Sequence, residues 1–238
     1  MTRPLENHVA VVTGASRGIG RATARRLAES GAAVALLARD PAALDSVARE
    51  LSLFGARSLV LPVDITDDRR LEEALQHAVV HLGSVSILVN GAGVAPPRTM
   101  HGKAAIADWD RMLATCLRAP MVLSRMLLPD MLVHQRGLIV NIASVAARRA
   151  RPGEAAYAAA KAGLLAFSHT LFREVRNSGV KVTAICPGYV DTDFIPPNKK
   201  VDRDKFLRAD DVADVIVQTA LGPLHACPSE IILEPQFD

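Results

Sequence analysis

A chain of 238 residues, half of them hydrophobic, can bury one sizeable core, and a formal net charge of +3 spread over scattered residues gives no basis for nucleic-acid binding. Cys116, Cys186 and Cys227 lie far apart with no Cys-x-x-Cys pair, so neither a disulfide framework nor a metal site is expected and a reducing cytoplasm fits. The first eight residues lack the apolar stretch of a secretion signal, and no apolar run is long enough to span a bilayer, so the expectation is a cytoplasmic protein with no membrane partner.

Strand-like and helix-like segments alternate from end to end. The first apolar run is Val9–Val12, followed by an amphipathic helix over Arg21–Gly31 and a second strand over Ala33–Ala38. Pro41 opens a helix that runs to about Phe54, Ser58–Val63 is a third strand, and Asp67 and Asp68 begin the next helix, where carboxylates complement the positive end of its dipole. Val85–Val89 is strand four. A loop over Gly91–Ile106 leads into a long helix that carries Pro120, where a kink is expected. A strand running into Ser144, a helix carrying Tyr157, a strand over Val180–Cys186, a helix from Asp210 to about Leu221 and a strand over Glu230–Leu233 complete the series. Such alternation predicts an α/β fold, a single domain over residues 1–238 with a doubly wound parallel sheet of about seven strands and helices on both faces. Ligands are then expected at the carboxyl ends of the strands.

Between the first strand and the first helix lies Thr13-Gly14-Ala15-Ser16-Arg17-Gly18-Ile19-Gly20. Gly14 permits a tight turn, Gly18 lets backbone amides approach a phosphate, and Gly20 lets the helix pack closely on the sheet, so a pyrophosphate can sit at the helix amino terminus. The spacing differs from Gly-x-Gly-x-x-Gly; the strand before and the helix after raise it above an ordinary glycine-rich turn. Arg39 ends the second strand, where an NAD-binding fold often carries a carboxylate for the ribose 2′-hydroxyl. Together with Arg17 its guanidinium suits a 2′-phosphate, which predicts NADP(H); Asp40, next in the chain, keeps NAD(H) as the alternative.

In Ile139-Val140-Asn141-Ile142-Ala143-Ser144, apolar residues bring a hydroxyl to the carboxyl end of a buried strand. Further on, Tyr157-Ala158-Ala159-Ala160-Lys161-Ala162-Gly163 has strong helix propensity, and Tyr157 and Lys161, four apart, share one helix face. An ammonium beside a phenol favours phenolate, so a group that titrates near ~10 moves towards the range useful for acid/base work. Ser144 then supplies a hydroxyl donor to a substrate carbonyl. Taken alone, the Tyr-x-x-x-Lys pattern is also what an ordinary helix surface produces.

Together these stretches resemble the classical short-chain dehydrogenase/reductase family along essentially the whole chain. The resemblance rests on the turn from Thr13 to Gly20, Asp64, Asn90-Gly91-Ala92-Gly93, Ser144, Tyr157-Ala158-Ala159-Ala160-Lys161, and Pro187-Gly188 with Thr192; Ser144 precedes Tyr157 by the thirteen residues usual in the family. It implies a Rossmann-type fold and an NADP(H)-dependent oxidoreductase that reduces a carbonyl, of a 3-oxo acid, a 3-oxoacyl thioester or another small ketone, to a secondary alcohol. Tyr157 is then the general acid in reduction and base in oxidation, Ser144 polarises the carbonyl, and Lys161 holds the nicotinamide ribose hydroxyls and keeps Tyr157 easily ionised. The implied cofactor-binding set is Gly14, Ser16, Arg17, Gly18, Ile19 and Gly20 in the turn, Arg39, Asp64 and Ile65 on the adenine side, and Asn90, Gly91 and Ala92 beside the adenine ribose. Tyr157, Lys161, Pro187, Gly188, Val190 and Thr192 complete it at the nicotinamide. The resemblance also implies a homo-oligomer, a tetramer or a dimer, formed through the long helices around Cys116 and Tyr157 and the last strand; the apolar faces at Met121–Leu128 and Leu164–Leu171 serve equally well as internal core.

Two positions depart from the family pattern. Gly91 replaces the second Asn of the usual Asn-Asn-Ala-Gly, at little expected cost because backbone contacts dominate there. Cys116 stands at a catalytic position where the family commonly has an Asn that helps hold a water beside the lysine. A thiol is a weak hydrogen-bond partner, so Cys116→Asn is expected to raise turnover; an apolar helix filler is the other reading of this residue. A nucleotide-binding scaffold or sensor without turnover is the rival function.

Basic residues crowd three loops at the same end of the sheet: Arg148, Arg149 and Arg151; Arg98, His101 and Lys103; Lys199, Lys200, Arg203 and Lys205. If they converge, they favour an anionic or carrier-linked small-molecule substrate; ordinary solvated charge is the alternative. The ending Glu230-Ile231-Ile232-Leu233-Glu234-Pro235-Gln236 looks like that of relatives acting on hydroxy acids and other small carbonyls. Asp193–Leu207 is expected to be a lid.

Overall fold

The computed structural model describes residues 3–95, 106–195 and 202–236. Its first half runs β1 (Val9–Thr13), α1 (Gly18–Glu29), β2 (Ala33–Ala38), α2 (Pro41–Ser52), β3 (Ser58–Pro62), α3 (Asp68–Leu82) and β4 (Ile87–Asn90). The second half runs α4 (Ile106–Leu113), a π-helical turn over Ala114–Arg118, α5 (Ala119–Val133), β5 (Gly137–Ile142), a 3-10 turn over Val145–Ala147, α6 (Ala155–Val175) and β6 (Val180–Pro187). The last part comprises β7 (Val190–Asp191), a 3-10 turn over Arg203–Lys205, β8 (Leu207–Arg208), α7 (Ala209–Leu221) and β9 (Glu230–Leu233).

Seven strands pair in the order β3-β2-β1-β4-β5-β6-β9, every ladder parallel. The chain winds outward from β1 through β2 to β3, then crosses back to lay β4 on the other side of β1. That reversal opens a crevice above the carboxyl ends of β1 and β4, where a doubly wound sheet accepts a ligand. β7 and β8 form a separate parallel pair.

Alternating strand residues feed two cores. Val9 and Val11 of β1 pack with Leu71 and Leu75 of α3, Leu123 and Leu127 of α5 and Leu171 of α6, while Ala10 and Val12 pack with Leu27 of α1, Leu44 of α2 and Val212 and Ile216 of α7. Because both faces are covered, β1 and β5 are buried at every residue, which is why these strands read as unbroken apolar runs. The Met121–Leu128 and Leu164–Leu171 faces are mostly internal: Leu123, Leu127, Leu164, Leu165 and Leu171 are buried and Met121 is exposed.

The element boundaries follow local chemistry. Asp40 caps α2 by accepting from the Ala43 amide, and Asp67 caps α3 through Arg70. α1 begins at Gly18, earlier than the expected Arg21, because the glycine turn itself enters the helix. The long helix does not run on to a kink at Pro120. It is interrupted just before, by the π-helical turn, and Pro120 takes a first-turn position of α5. Proline has no N–H to offer the Cys116 carbonyl four residues earlier, and the widened turn spans that position.

Two buried polar features tie the layers together. On β6 the Lys181 ammonium donates to the carbonyls of Gly222 and Thr219 at 2.7 and 3.2 Å, closing the carboxyl end of α7 where a cation is favoured. Asn90 of β4 donates to Asn141 of β5 at 2.8 Å, and Asn141 donates to Ser168 of α6 at 2.9 Å. These three side chains are 2% exposed or less, so the chain of bonds is shielded from water.

At the opposite end of the sheet, half-buried His8 meets the Ser86 hydroxyl at 2.9 Å. Burial, helped by the Arg136 charge, pushes its imidazole down from 6.5 to about 4. The unfolded chain therefore binds this proton more readily, and stability present above pH 6.5 is lost as the pH falls towards about 4. Denaturation midpoints measured between those values should decline more steeply for the wild type than for His8→Asn; parallel profiles would rule His8 out as the source.

Candidate active site

A cleft of about 1530 Å³ runs across the carboxyl ends of the strands, and the side chains around it come from both halves of the fold. Gly14 and Gly18 adopt φ of +67° and +55°, the left-handed region that glycine enters freely. A Cβ on Gly20 would lie 2.2 Å from the Gly14 carbonyl oxygen, so the turn closes only with glycine there. The Thr13 hydroxyl accepts the Gly91 and Ala92 amides at 3.0 and 3.1 Å, pinning the loop after β4 against the turn. Gly91 suits this contact, because a Cβ on it would approach the Thr13 carbonyl to 2.9 Å.

The amino end of α1 has no side-chain cap and no acidic residue in its first turn. Its open amides and positive dipole end therefore face the cleft uncompensated, the arrangement that accepts a pyrophosphate. Arg17 and Arg39 are exposed and line the cleft. Asp64 lines it too, its carboxyl held below the usual range by hydrogen bonds from the Thr66 backbone and hydroxyl against the opposing effect of burial, with the Arg39 and Arg111 charges adding to the shift. Asp40 also borders the cleft, but its carboxylate is engaged in capping α2. A dinucleotide fits this cradle.

Across the crevice, Ser144 follows the end of β5 by two residues, and Tyr157 and Lys161 occupy one face of α6. The Tyr157 phenol and the Ser144 hydroxyl face the same cleft, and Ser144 stands near enough to lower the pKa of the phenol. The Lys161 ammonium is 4% exposed and donates to the Ile142 carbonyl at 2.6 Å, while standing 5.8 Å from the centre of the Tyr157 ring. The expected shift of the tyrosine is reversed here: burial pushes its pKa well above the ordinary value, the nearby Ser144 hydroxyl opposes the rise, and negative potential from Cys116 and Glu154 adds to it. Burial also lowers the pKa of Lys161. Desolvation of the phenolate thus outweighs any help from the ammonium.

The structure gathers almost every expected site residue around the cleft: Gly14, Ser16, Arg17, Gly18, Ile19, Gly20, Arg39, Asp64, Ile65, Gly91, Ala92, Ser144, Tyr157, Lys161, Pro187, Gly188, Val190 and Thr192. Asn90 and Cys116 do not line it. Asn90 is tied up in the buried amide chain, and Cys116, fully buried, packs with Met112, Ala146, Tyr157 and Ala160 behind the tyrosine. Thr115, its neighbour, does reach the cleft. The three cysteines are thiols.

Three arginines of the basic rim are neutralised, while Arg151 and Lys205 line the cleft. Arg148 is held by Glu230, Arg149 by Glu234, and Arg203 by Asp191 at 2.6 Å. Arg98, His101, Lys103, Lys199 and Lys200 lie outside the described residues, as does the middle of the expected lid. The end of that segment is anchored by the pairing of β7 with β8. Sequence reasoning missed the aromatic side chains of this region. Phe194 stands 6.0 Å from the Tyr157 ring, and Tyr189 stacks on Phe206 at 5.0 Å. The adjacency of Tyr189 to Pro187-Gly188 was the available signal for one of them; nothing local marks Phe206.

A family model described as short chain dehydrogenase matches residues 8–202. Among curated relatives, an uncharacterized oxidoreductase of Staphylococcus epidermidis is 32% identical over 234 residues, covering 97% of this chain and 98% of the relative. Among solved structures, a metagenomic short-chain oxidoreductase in complex with NADP is 33% identical with a TM-score of 0.86, over 99% of this chain and 100% of the other. An alcohol dehydrogenase from the archaeon Thermococcus sibiricus complexed with 5-hydroxy-NADP is 27% identical with a TM-score of 0.89, over 97% of each chain. Among the described residues no helix is long and apolar enough to cross a membrane.

Proposed function

This chain belongs to the short-chain dehydrogenase family of oxidoreductases, and we propose that it is an NADP(H)-dependent reductase of a small ketone, with Tyr157 as the general acid. The observation that carries the reading is the gathering of Ser144, Tyr157 and the buried Lys161 on one side of the cleft, opposite the glycine turn. The turn amides and the start of α1 would hold the pyrophosphate, Arg17 and Arg39 the 2′-phosphate, and Asp64 the adenine. When bound, the nicotinamide supplies the hydride.

The protein's own part is orientation and proton transfer. Ser144 donates to the substrate oxygen and Tyr157 passes its proton to the alkoxide that develops there. Burial keeps the phenol protonated, which suits the reductive direction. Lys161 would take the ribose hydroxyls and ease the recovery of the proton. The choice of NADP(H) rests on the two cleft arginines and on the engagement of Asp40 as a helix cap, and the NADP-bound neighbours agree with it. Within this reading the substrate is a 3-oxo acid, a 3-oxoacyl thioester or a similar small ketone.

Three measurements test it. Absorbance loss from NADPH over a panel of 3-oxo acids, thioesters and simple ketones should reveal turnover, and Tyr157→Phe should lower it by at least ~100-fold with NADPH binding retained. An equally active Phe variant would remove Tyr157 from the chemistry. Arg39→Asp should weaken NADPH relative to NADH by roughly ten-fold or more, the worth of a charge-assisted bidentate contact; an unchanged ratio would reject the assignment of the 2′-phosphate to Arg39. Because fully buried Cys116 offers only a thiol behind Tyr157, Cys116→Asn should raise the turnover number several-fold. A lower or equal rate would show that proton recovery runs by another route.

A further inference from the structure

We propose that Arg151 binds the carboxylate of the substrate, which makes the physiological substrate an oxo acid. This deepens the reductase reading and rests on it. Arg148, Arg149 and Arg203 each hold a carboxylate of the protein, so their charge is locally cancelled. Arg151 lines the cleft and, among the described residues, pairs instead with a neutral group: its guanidinium lies 4.6 Å from the centre of the Tyr189 ring and donates to the Tyr189 hydroxyl. Glu154, the nearest acid in the chain, accepts the Arg151 backbone amide at 3.0 Å, within the same loop.

The guanidinium is ordered before any ligand arrives. Tyr189 is stacked on Phe206 with 17° between the rings, and its carbonyl accepts the Leu207 amide at 3.0 Å, so the platform under Arg151 is fixed by the β7–β8 pair. Arginine on an aromatic face sheds water cheaply and keeps a planar fork, and the Tyr189 hydroxyl occupies only one of its five N–H donors. A ligand that spans the cleft therefore meets Ser144 and Tyr157 at one point, apolar Phe194 beside the Tyr157 ring, and a fork of N–H donors at Arg151. A carbonyl, a short apolar body and a carboxylate satisfy the three. A singly charged carboxylate fits better than a phosphate dianion, because Glu154, Asp193 and Asp202 also line the cleft and repel the higher charge.

The experiment compares each of three oxo acids, acetoacetate, 4-oxopentanoate and 5-oxohexanoate, with its methyl ester as substrate of the wild type and of Arg151→Gln and Arg151→Lys. For the best chain length, kcat/KM of the wild type should favour the acid over the ester at least ten-fold. In Arg151→Gln that ratio should fall towards one, and Arg151→Lys should lie between. Since both substrates are read on the same preparation, the ratio is independent of its active fraction. In the wild type alone, added salt should raise KM for the acid and leave that for the ester, a second readout should a variant fail to fold. A ratio that survives Arg151→Gln, or a wild type that turns over esters with no preference for acids, overturns the role of Arg151 and leaves the reductase standing. A wild type that reduces none of the three pairs but does reduce a thioester or simple ketone of the wider panel overturns the role of Arg151 alone; one that binds NADPH and reduces nothing in either set overturns the reductase reading, and this inference with it.

Discussion

The ammonium of Lys161 reaches from α6 to the Ile142 carbonyl at the end of β5, a charged group 4% exposed whose 2.6 Å bond fixes how the helix lies on the sheet. One residue earlier on the strand, Asn141 donates to Ser168, almost two turns further along α6. The helix is thus tethered at two heights by consecutive strand residues, one through its carbonyl and one through its side chain. Ser144 follows two residues beyond that strand and Tyr157 precedes on the same helix. The placing of both side chains at the cleft is therefore a consequence of that docking, in which removing one partner would leave the other buried and unpaired at a cost of about 1–3 kcal/mol.

The other side of the crevice is governed by backbone. Gly20 passes so close to the Gly14 carbonyl that no side chain fits, and the Thr13 hydroxyl draws in the amides of Gly91 and Ala92. These contacts set the amino end of α1 at the switch point of the sheet, where the only compensation for its dipole must come from outside the helix. One half of the site supplies fixed partial charges from main chain, and the other supplies titratable side chains. Such a division suits a reaction in which a large anionic ligand is held while a proton moves.

Much of this was legible in the residues because it is local. The period of the strands, the glycines of the turn, and the one-face relation of Tyr157 to Lys161 each involve neighbours within a few positions, and the seven-stranded parallel sheet follows from their alternation. What escaped the sequence depends on partners far away in the chain. Arg148 and Arg149 look like free cations until Glu230 and Glu234 arrive from the last strand and its continuation, 82 and 85 residues later. The π-helical turn before Pro120 escaped for a different reason: proline predicts the loss of a hydrogen bond, but not whether the helix bends or widens to absorb it.

The tyrosine shows the limit of reading chemistry from spacing. A lysine four residues on promises a stabilised phenolate, yet the same helix packing that brings the two together also excludes water from both, and desolvation opposes charge on either group. Which effect wins depends on where the ammonium points. Directed at the Ile142 carbonyl, it leaves burial as the stronger influence on the phenol, which stays a neutral acid near Ser144. A phenol in that state gives up its proton only when a stronger base forms within reach, and an alkoxide forming on the oxygen of a carbonyl substrate held beside Ser144 would be such a base. Burial thereby ties proton transfer to the appearance of negative charge on the substrate, which is the coupling that a reductase needs.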